Sequence, residues 1–297
     1  MPEQSPAAPT QQAGGERKRR STTRLLWPAS AFYLLFFIVP LVMLLLFSIW
    51  TMDDFEIQPG FTLANYAEAI TTPLFRPIFL RTIIIGLVAA AVTVPIAYAL
   101  AYQMRFIFSR SGRTILDIIL ISMFCGYLVR IYAWRTILGK EGIINTALEQ
   151  VGLISEPLTF LIYSNWAIII TMVGLLLPLC VLPIYSSMAN VSADHLETAR
   201  DLGSRGVRLH RTIVMPMVLP GISTAFAIAF ILAAGDFVVP TMVGGTQGTM
   251  VGNLIANQFR GFSPNWPLGA ALAFVIMAIV IVIQVVVLRT LRWVTRW

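Results

Sequence analysis

The sequence predicts an all-α membrane protein with six transmembrane helices, and three observations support this prediction. First, 57% of the 297 residues are hydrophobic and 12% are charged, with a mean hydropathy of +0.79. A soluble globular chain of this size is much more polar. Second, six mostly apolar stretches are long enough to cross a hydrocarbon core of about 30 Å as helices. Third, basic residues alternate from one side of these stretches to the other.

The six predicted spans take up most of the chain. They are Ala29–Trp50, Phe79–Tyr102, Ile115–Leu138, Trp166–Ser187, Met217–Gly235 and Leu268–Leu288. The third span has Arg130 and Arg135 near its end, and the fourth contains Pro178 and Pro183. Proline is tolerated in spanning helices where neighbouring groups satisfy the freed backbone carbonyl. Both stretches are therefore counted as spans.

Both chain termini are predicted to lie in the cytoplasm, because short loops rich in Lys and Arg stay on that side. Fifteen of the 21 basic residues fall in the N-terminal tail, the second and fourth loops and the C-terminus. They are Arg17, Lys18, Arg19, Arg20, Arg24, Arg105, Arg110, Arg113, Arg200, Arg205, Arg208, Arg211, Arg289, Arg292 and Arg296. The net charge of +7 thus reflects topology and attraction to anionic lipid headgroups.

The segment before the first span is predicted to be a disordered basic cytoplasmic tail. Residues 1–24 are rich in polar and small residues without apolar periodicity, and residues 25–297 form the predicted membrane domain. The first apolar stretch is too long for a secretory signal peptide, and no small-residue cleavage site follows it. We therefore expect it to remain as the first helix.

Residues 187–216 form the longest cytoplasmic loop and show a helical pattern. Asp194, three residues before Glu197, predicts a capping-box-like start, and Gly203 predicts the end of a short helix. The apolar residues of this helix recur on one face: Leu196, Ala199 and Leu202. The sequence therefore predicts a short amphipathic helix within the loop.

A second short helix is predicted directly after the first. Ser204 is its expected cap, and Pro216 and Pro220 are expected to end or kink it before the fifth span. Its apolar contacts are expected from Val207, Leu209 and Ile213. Two surroundings fit such a helix pair, a partner protein or the surface of an anionic membrane.

The order of residues in this loop resembles the EAA motif of the membrane subunits of ABC importers. The matching positions are Glu197, Ala199, Gly203, Ile213 and Pro216. In that family the loop docks into a cleft on a cytoplasmic ATPase, which implies ATPase-coupling roles for these residues. The motif's glutamate and glycine are central to docking. Thr198 and Met215 depart from the usual alanine and leucine but remain small or apolar.

Two further stretches, Gly126–Leu148 and Ala234–Phe274, resemble the permease subunits of spermidine/putrescine importers. The similarity extends from about Leu25 to the C-terminus. It implies the type I ABC importer (MetI-like) permease fold in a bacterial inner membrane, with polyamines as the solute. Relatives with such stretches also carry opines or other organic cations and amines, so these solutes remain open.

The same resemblance implies three partners: a second, similar permease subunit, a cytoplasmic ATPase in two copies, and a periplasmic solute-binding protein. The chain itself contains two lysines, Lys18 and Lys140, and neither lies in a phosphate-binding G-x-x-x-x-G-K-[ST] loop. We therefore expect ATP hydrolysis in the partner. We assign no catalytic residue and no cofactor to this chain.

A path for polyamines is expected to contain carboxylates and aromatic faces, because ammonium groups pair with both. Asp236, at the outer end of the fifth span beside Phe237, is the candidate carboxylate. It also fits two other roles, a cap of the following VVPTMVGG stretch or a partner of Arg260. Tyr127 is a further candidate for the path. An interfacial belt is the favoured interpretation of its region, with the members Tyr127, Arg130, Tyr132, Trp134 and Arg135.

Other functional classes find no support in the sequence. Cys125 and Cys180 fall in predicted spans, where a thiol acts as a small apolar residue. His195 and His210 are 15 residues apart without a cysteine beside them, so we expect no metal site. A secondary transporter needs buried ion-coupling residues and usually an internal repeat. A membrane enzyme needs a catalytic cluster within the spans, and none is evident.

Overall fold

Helices make up most of the structure, a computed structural model that describes residues 27–28, 30–108 and 111–294. In chain order the helices are α1 (Ser30–Ser48), α2 (Ala64–Thr71), α3 (Phe75–Ile107), α4 (Gly112–Met123), α5 (Tyr127–Leu138), α6 (Ile143–Gln150), α7 (Asn165–Ser187), α8 (Ala193–Asp201), α9 (Gly206–Gly235), α10 (Val238–Val243), α11 (Val251–Arg260) and α12 (Trp266–Val294). Within the described residues, α1, α3, α7, α9 and α12 are each long and apolar enough to cross a membrane. The predicted tail, residues 1–24, lies outside the described residues.

The third predicted span is broken rather than straight. Helix α4 ends at Met123, and the segment Tyr127–Gln150 turns away from it by 100°. The break comes at Gly126, whose backbone is extended (φ −54°, ψ 143°) and does not continue the helix. The prediction of one helix over Ile115–Leu138 was therefore wrong, because both halves are apolar and composition does not mark the break. Counted as one span, the pair completes the six predicted spans.

The predicted second loop helix begins at Gly206, but of the two effects expected of the prolines, an end or a kink, the end is not found, because this helix continues into the fifth span. Helix α9 runs unbroken from Gly206 to Gly235, with Pro216 and Pro220 inside it. A π-helical turn over His210–Val214 directly precedes the first proline. Such a turn shifts the backbone hydrogen bonds to an i→i+5 pattern and so accommodates a missing amide. One continuous helix therefore joins the cytoplasmic loop to the fifth span.

The core lies between α3, α7 and α9, which approach closely because small residues occur where they touch. Among the buried small residues are Ala89, Ala90, Ala97, Ala167, Ala225 and Ala229. A Cβ on Gly221 of α9 would come within 2.5 Å of the carbonyl oxygen of Pro183 on α7. Small residues allow helices in a membrane to pack at such distances. Helices α7 and α9 are consequently closely packed.

Helices α1 and α12 pack against each other at the edge of this core. Helix α1 buries almost none of its apolar surface within the chain, and rings such as Phe32 and Phe36 are exposed. Lipid is the natural surrounding for such a surface, because no charged residue interrupts it.

A small hairpin follows α1, formed by the antiparallel strands β1 (Thr51–Asp53) and β2 (Glu56–Gln58). Helix α2 holds this region to the end of α1. The Asn65 amide nitrogen donates to the carbonyl oxygens of Ser48 and Trp50 at 3.0 and 2.8 Å. These bonds satisfy carbonyl groups that the end of a helix leaves without a partner.

Candidate functional site

The loop helix α8 begins with a capping box, but one formed by other residues than predicted. Ser192 is the cap, and its Oγ accepts a hydrogen bond from the His195 amide at 3.3 Å. In return, the His195 side chain accepts from the Ser192 amide at 3.4 Å. The predicted pairing of Asp194 with Glu197 was wrong, because the chain is still extended at Ser192 and turns helical directly after it. Glu197 is thereby left free of a capping role.

Helix α8 ends in a glycine turn, as predicted. Gly203 has φ +83°, in the left-handed region that favours glycine. Its amide donates to the Arg200 carbonyl at 3.0 Å, and the Ser204 amide donates to the Ala199 carbonyl at 2.9 Å. These bonds satisfy the last carbonyls of the helix. Helix α9 then begins at Gly206 without the predicted Ser204 cap.

The loop residues that match the importer motif are brought together by the packing of α8 on the start of α9. Ala199 is buried and, with Ile213 and Pro216, lines a groove of about 440 Å³ between the two helices. Glu197 points away from this contact and is exposed. The motif therefore divides into residues that line the groove between α8 and α9 and an exposed carboxylate.

Two residues expected to make apolar contacts are exposed instead. Leu202 and Val207 are each 82% exposed, on either side of the glycine turn. Leu202 still borders the groove on the side of Ala199, as its predicted place on the apolar face of α8 implies, but it is largely uncovered within this chain. The three exposed loop residues Glu197, Leu202 and Val207 are here termed the loop face.

A second candidate site is a cavity of about 570 Å³ between α5, α7, α9 and α10. Most of its wall is apolar and comes from α7 and α9: Met172, Leu175, Leu176, Leu179, Ile231 and Leu232. Its charged residues are Arg130 on α5 and Asp236 after α9. The three candidates for the solute path, Asp236, Phe237 and Tyr127, all line this cavity.

Asp236 is held by three donors and caps the short helix α10. Its Oδ1 accepts from the amides of Val238 and Val239 at 2.7 and 3.3 Å. Its Oδ2 accepts from the hydroxyl of Tyr127, which lies 109 residues earlier in the chain. Of the two roles left open, the cap is therefore found, and Arg260 is not a partner of Asp236 within the described residues. All three donors are neutral groups, so none of them offsets the charge of a carboxylate at this position.

Asn253 fixes the helix that Asp236 caps, and sequence reasoning missed it. Its amide nitrogen donates to the carbonyl of Phe237 at 2.9 Å and to the hydroxyl of Thr241 at 2.7 Å. Its amide oxygen accepts from the Met250 amide at 3.0 Å. Its bond to the Met250 amide is local to the start of α11, whereas its partners Phe237 and Thr241 lie in a different segment that no sequence pattern connects to it. It joins α11 to α10 and so orients the carboxylate.

The aromatic residues of α5 face the protein more than the belt interpretation allowed. Tyr127 and Arg130 line the cavity. The indole of Trp134 packs on Gly174 of α7, where an added Cβ would lie 2.1 Å from the ring. Tyr132 is exposed, and for this residue a place in an interfacial belt stays a prediction. Of these side chains, Trp134 thus packs on α7, and Tyr127 and Arg130 border the cavity.

Each histidine contacts a neighbouring side chain or backbone group, and each cysteine is a free thiol. His195 belongs to the α8 cap, and Nδ1 of His210 lies 2.8 Å from the hydroxyl of Tyr98. Cys125 is exposed and Cys180 is buried, and both are free thiols. Across residues 27–28, 30–108 and 111–294, no group of three or more potential metal ligands occurs.

Substitution of Asn253 by alanine is expected to destabilise the cavity. Loss of the three bonds should lower the free energy of unfolding by about 2 kcal/mol, because each bond contributes about 0.5–1.5 kcal/mol and the amide of the buried Met250 loses its acceptor. Thermal unfolding in detergent measures this loss. The matched control is Asn257→Ala on the same helix, because the Asn257 side chain is exposed and makes no such bonds. Equal unfolding temperatures for the two variants would contradict the prediction.

Comparison with known proteins assigns the chain to a family. Residues 15–294 match the family described as binding-protein-dependent transport system inner membrane component. The chain belongs to this family. The permease is 32% identical over 247 residues to the spermidine/putrescine transport system permease protein PotB of Haemophilus influenzae, covering 82% of this chain and 85% of that protein. It is 30% identical over 233 residues to PotB of Escherichia coli, covering 78% and 84%.

Solved structures agree with this assignment at the level of the fold. The permease matches a chain of a bacterial ABC transporter involved in the import of the acidic polysaccharide alginate, with a TM-score of 0.71 at 15% identity. The match covers 94% of this chain and 96% of that chain. The predicted all-α importer-permease fold, the inner-membrane location and the role as the membrane component of an importer are confirmed.

Proposed function

We propose that this permease translocates polyamines such as spermidine and putrescine. The observation that carries the proposal is the cavity in which the carboxylate of Asp236 is held by neutral donors beside the ring of Phe237. A carboxylate and an aromatic face are the two groups that bind an ammonium in an otherwise apolar wall. The name of the PotB relatives supports the same solute class. Another organic cation, an amine or an opine is the alternative solute for the same cavity.

The proposed importer contains three further components. A second permease subunit is supported by partial similarity to PotC of Escherichia coli, 24% identical over 125 residues that cover 42% of this chain and 47% of that protein. A periplasmic solute-binding protein is supported by a neighbouring alginate transporter structure determined with a periplasmic protein, with a TM-score of 0.65 at 14% identity. Two copies of a cytoplasmic ATPase would complete the complex and hydrolyse the ATP.

The loop face is the proposed contact with this ATPase. An exposed carboxylate and two exposed apolar side chains in one loop suit a protein surface, because a partner that covers Leu202 and Val207 removes their apolar area from water. Glu197 is then available to accept hydrogen bonds from the partner. Gly203 provides the turn between Leu202 and Val207.

Helix α9 is the proposed mechanical link between ATPase and cavity. Helix α8 contacts the start of α9, and Ala199, Ile213 and Pro216 line the groove between them, so a push on α8 would reach α9 directly. The helix is 30 residues long, which corresponds to about 45 Å. Asp236 follows directly after its other end. A rocking motion of α9 between two states would therefore alter the cavity when ATP closes the ATPase dimer.

The test is uptake of radiolabelled spermidine and putrescine into proteoliposomes that hold the complete complex, with loaded binding protein and ATP. Wild type is expected to accumulate polyamine only with ATP, and Glu197→Ala should lose most of this uptake. Glu149→Ala on α6 is the matched control, since it removes one exposed acid that is remote from the loop face.

The outcomes separate the parts of the proposal. If ATP is hydrolysed but neither polyamine enters, the assignment as an importer stands and the proposed solute is wrong. Uptake without ATP would reject ATP coupling and favour a secondary transporter. If Glu197→Ala transports as well as Glu149→Ala, the loop face is not the contact that couples the two subunits.

A further inference from the structure

Arg130 places a positive charge in the cavity that is proposed to receive a cation. It lies one helical turn after Tyr127 on α5, so both side chains share a face of that helix. Its Nε is shielded from solvent and has no hydrogen-bond partner among the described residues. Arg130 and Asp236 line the same cavity, and no ion pair joins them within the described residues. An arginine without a structural partner in such a wall needs an explanation.

The charges of the empty cavity balance each other. Asp236 carries one negative charge that its neutral donors do not cancel. Arg130 carries one positive charge, and the remaining wall is mostly apolar. In surroundings with few polar groups, charges act on each other over longer distances than in water. Arg130 therefore weakens the negative potential that Asp236 produces at the place of the solute.

We propose that Arg130 is a tethered counter-ion that competes with the ammonium group of the solute for Asp236. The inference rests on the proposed function, since it takes the solute to be a cation. Before the solute arrives, the positive charge of the guanidinium offsets the negative charge of Asp236. The ammonium group of the solute then has to compete with the guanidinium for this carboxylate. The cavity then binds the solute weakly, and the solute leaves it quickly towards the cytoplasm.

Weak binding at this point serves an importer with a separate capture protein. Capture of the solute requires high affinity, and in such a system the binding protein supplies it. The membrane cavity has to release its cargo in every cycle, and tight binding lengthens the residence time. A carboxylate without a competitor would hold a polyvalent cation for longer. Arg130 thus sets how fast the solute is released.

The opposite sign is expected if the solute carries a carboxylate of its own. A zwitterionic solute, such as an opine, would place its ammonium at Asp236 and its carboxylate at Arg130. Removal of the arginine would then weaken binding instead of strengthening it. The direction of the change in affinity therefore distinguishes a competing counter-ion from a ligand of the solute.

The experiment is equilibrium binding of radiolabelled spermidine to the complete complex in nanodiscs, without binding protein, followed by uptake at saturating loaded binding protein. Arg130→Gln is expected to bind spermidine roughly tenfold tighter than wild type, because one opposing charge is lost. Its uptake per complex should fall, since release becomes slower. Arg130→Lys keeps the charge and should resemble wild type. The matched control is Arg135→Gln on the same helix, since Arg135 bonds the hydroxyl of Tyr163 and is not part of the cavity wall.

Two results would overturn the inference. If Arg130→Gln binds spermidine with the affinity of wild type, Arg130 does not compete with the solute. If the variant binds spermidine more weakly, Arg130 is a ligand of the solute. Asp236→Asn in the same assay tests the proposed path separately. If this variant binds spermidine as wild type does, the solute does not use Asp236 and the path is wrong. If it loses binding while Arg130→Gln stays unchanged, only the counter-ion role fails.

Discussion

Substitution of Gly174 by alanine should strongly destabilise the permease. An added Cβ would lie 2.1 Å from Cζ2, 2.4 Å from Cε2 and 2.7 Å from Nε1 of Trp134. A rigid indole cannot bend away from such a contact, so α5 has to move off α7. We expect a loss of about 3 kcal/mol in the free energy of unfolding, as for other overpacked sites. This loss outweighs the gain of about 1 kcal/mol that alanine brings to a helix. Thermal unfolding of the purified permease in detergent measures it.

Two variants decide whether the contact with Trp134 is the cause. Gly235→Ala at the end of α9 should have little effect, because no atom lies within 4 Å of its added Cβ. Combining Gly174→Ala with Trp134→Leu should recover much of the loss, since the smaller side chain leaves room for the methyl group. A double variant as unstable as Gly174→Ala alone would show that the clash lies elsewhere. Spermidine uptake should follow stability, because α5 carries Tyr127 and Arg130 into the cavity.

Substitution of Asp236 by asparagine should abolish most polyamine uptake while the fold remains. Asparagine caps helices nearly as well as aspartate, so the bonds to the amides of Val238 and Val239 can persist. The negative charge is lost, and with it the charge-assisted bond to an ammonium. We expect uptake of radiolabelled spermidine into proteoliposomes to fall by roughly 100-fold, which corresponds to the loss of one strong charged bond.

The controls for Asp236→Asn separate charge from structure. Thermal unfolding should differ little from that of wild type. Tyr127→Phe removes the hydroxyl bonded to Oδ2 but keeps the charge, so its uptake should fall much less. ATP hydrolysis stimulated by the binding protein should persist in both variants, because the loop face is unchanged. Normal uptake by Asp236→Asn would refute the proposed role of this carboxylate.

The features that depend on local composition could be predicted from the sequence. A run of apolar residues crosses the membrane whatever its neighbours are, so the five unbroken spans were found. The ends differ by a few residues, except that the fifth helix begins at Gly206 and not at Met217. Gly203 ends α8 as predicted, because its left-handed backbone is a local requirement. The order of residues in the loop and in two further stretches resembled a known family, and the match over residues 15–294 confirmed it.

Features that depend on contacts between distant segments could not be predicted in the same way. The break between α4 and α5 lies within a continuous apolar stretch, and hydropathy has no signal for it. Pro216 was expected to end or kink a helix, whereas a π-helical turn before it allows α9 to continue. Leu202 was expected to make an apolar contact and is largely exposed, because the helix ends one residue earlier.

The cavity illustrates this division most clearly. The sequence by itself determined three features. Asp236 stands at the outer end of a span, the chain resembles a bacterial importer family, and the cytoplasmic loop carries that family's motif. Only the tertiary structure decided that Tyr127 bonds Asp236 across 109 residues, that Arg130 shares their cavity and that Trp134 packs on Gly174. The physical reason is that a span follows from transfer of one segment into lipid, whereas a cavity depends on how several helices pack together.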